Sequence, residues 1–330
     1  MVFSLLVRKA TAACITMLLV AFLTLTLSRA GAYTYLRPAQ PKPVLALLES
    51  PPSYKVTACP EQWSNISPEV WNTAKTHTDN LLEDKFTIVL QTYQRPHILD
   101  TTLRRLLENY VPSLLELHIV WNDDETPVPE DFSSQHGVRV IYHQAAKNSM
   151  NEKFRPNPEY RTKAVLLHDD DVYYHSEDME FAFQTWREYQ DRMVGAFARS
   201  HFIQDGHWAI DFAQGAYSIV MTGLVFVHVA FLEYWWSETP MMIQIRDYVD
   251  AQMNCDDIAM NFLVSAITCQ PPLQVTGVKP PVNEAPPVGI STTPEFPKKR
   301  VECMNDLPQF FGGMPLINTT WAITRGQFPW

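Results

Sequence analysis

The most constraining feature of this sequence is a short apolar run that ends in three consecutive aspartates. The run is Ala164–Leu167 with His168, and Asp169, Asp170 and Asp171 follow it directly. A buried strand that carries carboxylates at its carboxyl end suits a divalent cation, because hard cations prefer several charged oxygens on one rigid support. The pattern therefore predicts an α/β fold with a metal and nucleotide site at the end of this strand.

Strand-like and helix-like segments alternate around the triplet. Strands are predicted at 86–92, 117–121, 138–142, 164–167, 217–221 and 224–228, and helices at 99–110, 179–189 and 231–236. Such alternation favours a mainly parallel central sheet whose ligand lies beyond the carboxyl ends of the strands. Gln91, Asn122 and Asp169 each stand at the end of a predicted strand, so we expect them to share one rim.

A second acidic pair, Asp256-Asp257, opens a helical pattern after Cys255. Its structural interpretation is an acidic first turn that complements the helix dipole. Its functional interpretation is a pair of catalytic carboxylates. The residues alone leave both open, and the same holds for Arg300, which is either a ligand for an anion or part of a basic surface run with Lys298 and Lys299.

Composition excludes some classes of function. The chain has 330 residues with 46% hydrophobic content, enough to bury a substantial core in one large or two modest domains. Its formal net charge of −10 argues against a general nucleic-acid surface, because phosphate binding needs clustered Lys and Arg. We therefore expect no nucleic-acid partner.

The N-terminal segment predicts a membrane anchor. Residues 10–28 carry no charge, and Arg8-Lys9 and Arg29 flank them. At about 1.5 Å per residue this helix would span roughly 28 Å, close to a bilayer core. Ala30-Gly31-Ala32 also fits a signal-peptidase site, so a cleaved signal peptide is the alternative. Both interpretations send the rest of the chain into the lumen of the secretory pathway.

The predicted organisation is thus a cytoplasmic tail (1–9), an anchor (10–28), a Pro-rich lumenal stem (29–84) and one catalytic-sized domain (85–330). In the oxidising lumen, the cysteines beyond the anchor are candidates for disulfides. Cys59, Cys255, Cys269 and Cys303 allow three pairings, and no CxxC spacing indicates zinc. Asn65-Ile66-Ser67 and Asn318-Thr319-Thr320 are formal glycosylation acceptors.

Six ordered blocks of this sequence resemble the carboxyl-terminal catalytic domain of the exostosin family, glycosyltransferase family 64. The blocks are FTIVLQTYQR (86–95), VWN (120–122), NSMN (148–151), AVLLHDDD (164–171), YSIV (217–220) and NCDDIAMNF (254–262). The resemblance spans roughly residues 85–330. It implies a GT-A fold, a Rossmann-like fold for nucleotide-sugar transfer, and retention of configuration at the anomeric carbon.

The resemblance also implies roles for individual residues. The nucleotide side would be contacted by Gln91, Arg95, Asn122, Asn148, Lys153, Asp169 and Asp170, and Asp171 would ligate manganese or magnesium. Asp256 and Asp257 would lie near the reacting carbon, and Arg300 would hold the diphosphate from the opposite side. The family further implies a disulfide between Cys255 and Cys303, because its matching cysteine follows the matching arginine by three residues.

Together these inferences predict a single-pass type II glycosyltransferase of the Golgi or endoplasmic reticulum membrane. The expected donor is UDP-N-acetylglucosamine and the expected acceptor a glycan or glycolipid. GDP-mannose or UDP-glucuronic acid on the same fold is one alternative, and a catalytically silent glycan-binding scaffold is another. Lys153 stands where the family often has arginine, which keeps the charge but loses the bidentate fork for phosphate.

Overall fold

The chain is built on a central eight-stranded sheet in a computed structural model, which describes residues 63, 65–123, 125–129, 132–284 and 289–326. The helices of this described part are α1 (Pro68–His77), α2 (Pro96–Glu108), α3 (Ser176–Glu188), α4 (Val229–Trp235), α5 (Pro240–Gln252), α6 (Asp256–Thr268) and α7 (Phe296–Phe311). Two single 3₁₀ turns lie at Glu152–Phe154 and Ile290–Thr292.

The strands are β1 (Leu82–Thr92), β2 (Leu114–Trp121), β3 (Arg139–Gln144), β4 (Thr162–Asp169), β5 (Val172–Tyr173), β6 (Val194–Gly195), β7 (Ala198–Gln204), β8 (His207–Phe212), β9 (Ile219–Val220), β10 (Leu224–His228), β11 (Leu273–Thr276), β12 (Val282–Asn283) and β13 (Ala322–Thr324). The central sheet has the order β13-β11-β6-β10-β4-β1-β2-β3. Only β10 runs antiparallel to its neighbours in this sheet. The predicted α/β architecture with a mainly parallel, Rossmann-like sheet is confirmed.

Alternation along the strands explains the layers. In β1, Ile88 and Leu90 face one core cluster, and Val89 between them faces the other. The first cluster contains the apolar face of α2, whose Leu99 and Leu103 recur at helical spacing, together with α3. The second cluster contains α4, α5, α6 and α7. Because helices cover both faces, the central strands are apolar on both sides.

Folded structure begins before residue 85, inside the range predicted as stem. Helix α1 starts at a Ser67 N-cap, whose side chain accepts from the Val70 N–H group, and Pro68 occupies the first turn. Trp71 stacks on Phe231 of α4 at 4.7 Å between ring centroids. This helix was missed because it carries few apolar residues and follows a Pro-rich stretch.

The predicted tail, the anchor at 10–28 and the stem up to residue 62 lie outside the described residues. Among the helices that are described, none is long and apolar enough to cross a bilayer.

Glu116 gives the sheet a buried charge. Its carboxylate is fully buried in β2 and accepts from Thr87 Oγ1 (3.1 Å), the Arg161 backbone N–H (3.1 Å) and Arg161 Nε (2.8 Å). His118 Nε2 lies 3.6 Å away. Burial alone would raise the pKa of Glu116, but His118 and Arg161 outweigh it and lower the pKa to about 2.

We expect Glu116→Gln to flatten the acid dependence of stability. A folded pKa below the unfolded value contributes stability that is present above about pH 4.5 and is lost as the pH falls towards about 2. The shift corresponds to ~3 kcal/mol. The free energy of unfolding in urea, measured between pH 6 and 2, should therefore show wild type losing its advantage over the variant in acid. Glu159→Gln, at an exposed carboxylate 3.8 Å from Arg139, is the control. A difference in the free energy of unfolding between wild type and Glu116→Gln that stays constant with pH would contradict this account.

Candidate functional site

The carboxyl ends of β1, β2 and β4 bring predicted site residues to one edge of the sheet. Gln91 of β1 pairs in register with Asp169 of β4, and Thr92 pairs with Trp121 of β2. The Asn122 backbone N–H then donates to the Thr92 carbonyl oxygen at 3.0 Å. The expected common rim of Gln91, Asn122 and Asp169 is thereby confirmed.

The aspartate triplet is held by β1, by α2 and by Arg95, the N-cap residue of α2. Asp170 is buried and accepts from Thr92 Oγ1 at 2.6 Å. Thr102 Oγ1 donates to the Asp170 backbone carbonyl, also at 2.6 Å. Arg95 Nη1 lies 3.3 Å from Asp170 Oδ1 and 3.3 Å from Asp171 Oδ2. One guanidinium thus partly neutralises two neighbouring carboxylates.

Asp171 lies in a negatively charged environment, because Asp169 and Asp170 are close to it. Burial raises its pKa to about 6, and the carboxylates of Asp169 and Asp170 add to the rise. Within the described ranges, no group of three or more His, Cys, Asp or Glu side chains is arranged to hold a metal alone. A hard divalent cation bound through one or two carboxylates, with diphosphate and water as further ligands, fits this donor set.

Lys153 joins the triplet to the second acidic pair. Its buried ammonium group lies 3.3 Å from Asp169 Oδ1 and 2.9 Å from Asp256 Oδ2. Burial favours the neutral amine, but Asp169 and Asp256 outweigh it and raise the pKa of Lys153. The neighbouring Glu152 is bound by Arg155 through two 2.7 Å hydrogen bonds, so its charge is compensated locally.

The second acidic pair occupies the first turn of α6. Cys255, the N-cap residue of α6, has φ 75°, a left-handed backbone conformation that is uncommon for a residue other than glycine. Asp257 accepts from Arg300 Nη1 and Nη2 at 3.0 and 2.9 Å, and both side chains are buried. The structure therefore brings Asp256, Asp257 and Arg300 together.

The two carboxylates of this pair have opposite pKa shifts. Burial raises the pKa of Asp256, against the opposing effect of Lys153. For Asp257 burial is outweighed by the Arg300 guanidinium, and its pKa is lowered. Neighbouring carboxylates with divergent pKa values can take different roles at one pH, and Asp257 is the one held ionised.

A disulfide fixes this arrangement. Cys255 and Cys303 are bonded, with 6.0 Å between their Cα atoms. The bond links the start of α6 to α7, where Arg300 lies one turn before Cys303. Asp256, Asp257 and Arg300 are therefore held by one covalent crosslink, as the family resemblance implied.

A cluster of amides lies at the ends of β1 and β2. Gln91 Nε2 donates to the Ser149 carbonyl oxygen at 2.9 Å, and Asn122 Nδ2 donates to the same oxygen at 2.8 Å. Asn122 Nδ2 also lies 3.2 Å from Asn148 Oδ1. The three amides expected to contact a nucleotide are thus assembled around the segment 148–151.

Thr222, Gly223 and Gly289 are among the contributors to the site that had not been predicted. Thr222 Oγ1 donates to Asp256 Oδ2 at 3.1 Å. A Cβ atom at Gly223 would stand 2.5 Å from Asp169 Oδ2, and one at Gly289 would stand 2.8 Å from Arg95 Nη2. Both glycines leave room for charged side chains, but a single glycine in a sequence does not by itself indicate such a close approach.

The fold and site define a class: an α/β protein with carboxylates, amides and cations at the carboxyl ends of parallel strands, where nucleotide ligands bind. The chain matches the sequence model of the glycosyl transferase family 64 domain over residues 86–328. It therefore belongs to glycosyltransferase family 64, and it is a glycosyltransferase of class EC 2.4.

Individual relatives agree with this assignment. The chain is 34% identical to an exostosin-like-3 homolog of Caenorhabditis elegans over 72% of this chain and 29% of that protein. It is 30% identical to exostosin-like 2 of Mus musculus over 75% of this chain and 78% of that protein. It is 26% identical to glycosylinositol phosphorylceramide mannosyl transferase 1 of Arabidopsis thaliana over 74% of this chain and 78% of that protein. The chain thus spans less than a third of the first relative and about four fifths of the other two.

Proposed function

We propose that this chain is a retaining transferase of the GT-A fold that moves N-acetylglucosamine from UDP-N-acetylglucosamine to a glycan or glycolipid acceptor. The observation that carries the proposal is the meeting of two charged groups at one sheet edge. Asp169–Asp171 come from β4, Asp256-Asp257 come from α6, and Lys153 contacts both groups. Such a site has cations for a diphosphate and carboxylates for a reacting sugar.

Arg95, Lys153 and Arg300 are the cations available to a bound diphosphate. Each already contacts a carboxylate, so a diphosphate would bind by sharing these cations. Arg95 and Arg300 can each form bidentate hydrogen bonds with phosphate oxygens, whereas Lys153 acts as a point charge. Asp171 would hold a manganese or magnesium ion, which supplies Lewis-acid compensation for the charge on the leaving diphosphate.

Asp257 is the carboxylate best suited to act at the reacting carbon. Arg300 holds its pKa low, so it is ionised when the sugar develops positive charge. Retention follows either from a covalent intermediate on a carboxylate or from attack on the same face as the departing diphosphate. In both routes Asp257 stabilises the oxocarbenium-like sugar, and Asp256 lies beside it.

A second donor has specific support. One relative is named a mannosyl transferase and aligns over 74% of this chain. GDP-mannose on the same fold is therefore the second candidate, and the acceptor in that relative's name belongs to the lipid class.

We also propose the secretory pathway as the location, as a type II protein of the Golgi or endoplasmic reticulum membrane. The uncharged segment 10–28 supports the anchor. The disulfide between Cys255 and Cys303 fits an oxidising compartment.

The donor site is tested by calorimetric titration of the purified full-length chain with UDP- and GDP-sugars, with and without manganese. We expect one nucleotide sugar to bind in a metal-dependent manner, and Asp171→Asn to weaken that binding by roughly 10–100-fold or more, because it removes a metal-binding oxygen.

Asp123→Asn is the matched control for this titration. Asp123 is buried just beyond the end of β2, and its carboxylate accepts from the Glu125 N–H, the Thr126 hydroxyl and the Gln94 side chain, none of which is a predicted site residue. This variant should bind the donor as wild type does. The proposal fails if no nucleotide sugar binds to the folded wild-type chain.

A further inference from the structure

Asp250, on α5, anchors the segment that carries the amide cluster. Its carboxylate accepts from Lys147 Nζ at 2.6 Å, from Asn151 Nδ2 at 2.7 Å and from the Ser149 hydroxyl. Asn151 Nδ2 also donates to the Arg246 carbonyl oxygen at 2.9 Å, again on α5. The back of the segment 147–151 is thus fixed to α5, chiefly by one carboxylate.

The front of this segment fixes the orientation of two amides. The Ser149 carbonyl oxygen accepts from both Gln91 Nε2 and Asn122 Nδ2. A carbonyl oxygen has no proton to donate, so only the NH₂ end of each amide can face it. The Ser149 carbonyl therefore determines which way both amides point.

This orientation leaves two acceptors without partners. Gln91 Oε1 and Asn122 Oδ1 are buried and have no hydrogen-bond partner within the described part of the chain. A buried acceptor without a donor destabilises the free protein, and a ligand N–H group would satisfy it. The ring N–H of uracil or guanine is such a donor. At the matching ring position cytosine and adenine present a lone pair, which two acceptors would repel.

We propose that Asp250 is a positioning residue for base recognition. By holding Ser149, it keeps the Gln91 and Asn122 oxygens directed at the base, so that the site selects a base with a ring N–H, uracil or guanine, over cytosine or adenine. The inference rests on the proposed function, because it places a nucleotide at this rim.

The test compares matched nucleotides on the full-length chain by calorimetry with manganese. The pair is UDP and CDP if the wild type binds UDP, and GDP and ADP if it binds GDP. Wild type should prefer the ring N–H base by roughly 5–150-fold, the range expected for one unpaired buried polar group. In Asp250→Ala this preference should fall at least about 5-fold, whereas the affinity for inorganic pyrophosphate stays unchanged because pyrophosphate has no base.

Two further variants sharpen the test. Asp250→Asn keeps one acceptor oxygen and should show an intermediate preference, which preserves the test if the alanine variant does not fold. Asp247→Ala removes an exposed carboxylate from the same helix, α5, and should retain the wild-type preference.

Several outcomes would overturn the inference. A wild type that binds UDP and CDP equally contradicts it and leaves the transferase proposal standing. An Asp250→Ala variant that binds UDP, CDP and pyrophosphate more weakly by one common factor shows a merely structural role. A folded wild type that binds no nucleotide overturns both proposals.

Discussion

Asp257→Asn is expected to lower kcat by roughly 10²–10³-fold, the usual effect of removing one electrostatic stabiliser of a transition state. The substitution keeps the shape of the side chain and one oxygen for Arg300, but it removes the negative charge that Arg300 stabilises on the Asp257 carboxylate. KM for the donor should change less than kcat, because the charge matters most when the sugar becomes positive. The measurement is the rate of nucleoside diphosphate release at saturating donor.

Asp306→Asn is the control for this experiment. Asp306 lies on α7, as Arg300 does, but its carboxylate accepts from Tyr248 Oη at 2.8 Å. Within the described part of the chain, this carboxylate has no hydrogen bond to a predicted site residue. The control should retain the wild-type kcat. If Asp257→Asn also retained it, the carboxylate would not act at the reacting carbon.

Arg300→Met is expected to destabilise the folded chain by about 3–5 kcal/mol, because it leaves a buried carboxylate without its partner. Arg300 and Asp257 are only 9% and 4% exposed at their side chains, so water cannot replace the lost contacts. Met fills a similar volume, which limits the loss from packing. The measurement is the free energy of unfolding in urea with the disulfides intact.

A double variant separates the charge effect from other causes. Asp257→Asn with Arg300→Met removes both charges, and we expect it to recover a large part of the stability lost in the single Arg300 variant. Lys298→Met, at a side chain that is 80% exposed on the same helix, should stay within about 0.5 kcal/mol of wild type. A double variant as unstable as the single one would contradict the assignment.

The parallel half of the sheet could be predicted from the sequence because its signals are local. Apolar runs define β1, β2 and β4, and each is followed by polar residues that cannot extend a buried strand. The β7–β8 hairpin was missed because its sequence lacks such a local signal. Its exposed apolar residues, including Ile203 and Phe212, break the alternation that marks a half-buried strand.

The site could be predicted only in part. The common rim followed from parallel pairing, whereas the contact of Asp257 with Arg300 spans 43 positions and depends on how α6 and α7 pack. The family resemblance supplied that proximity, and the residues alone did not. The position of Lys153 between Asp169 and Asp256 also depends on tertiary packing. In the sequence, the adjacent Glu152 places a negative charge beside Lys153, and only the structure shows that Arg155 pairs with Glu152.

The absence of a side chain at position 223 gives a criterion for interpreting other members of the family. Any larger residue there would push Asp169 out of its place beside Lys153, because the first added carbon would stand 2.5 Å from the carboxylate oxygen. A relative could keep every aspartate of the triplet and still have lost their arrangement. A survey that scores charged residues alone would count such a chain as an intact enzyme, whereas one that also scores this glycine would identify it as a candidate inactive paralogue.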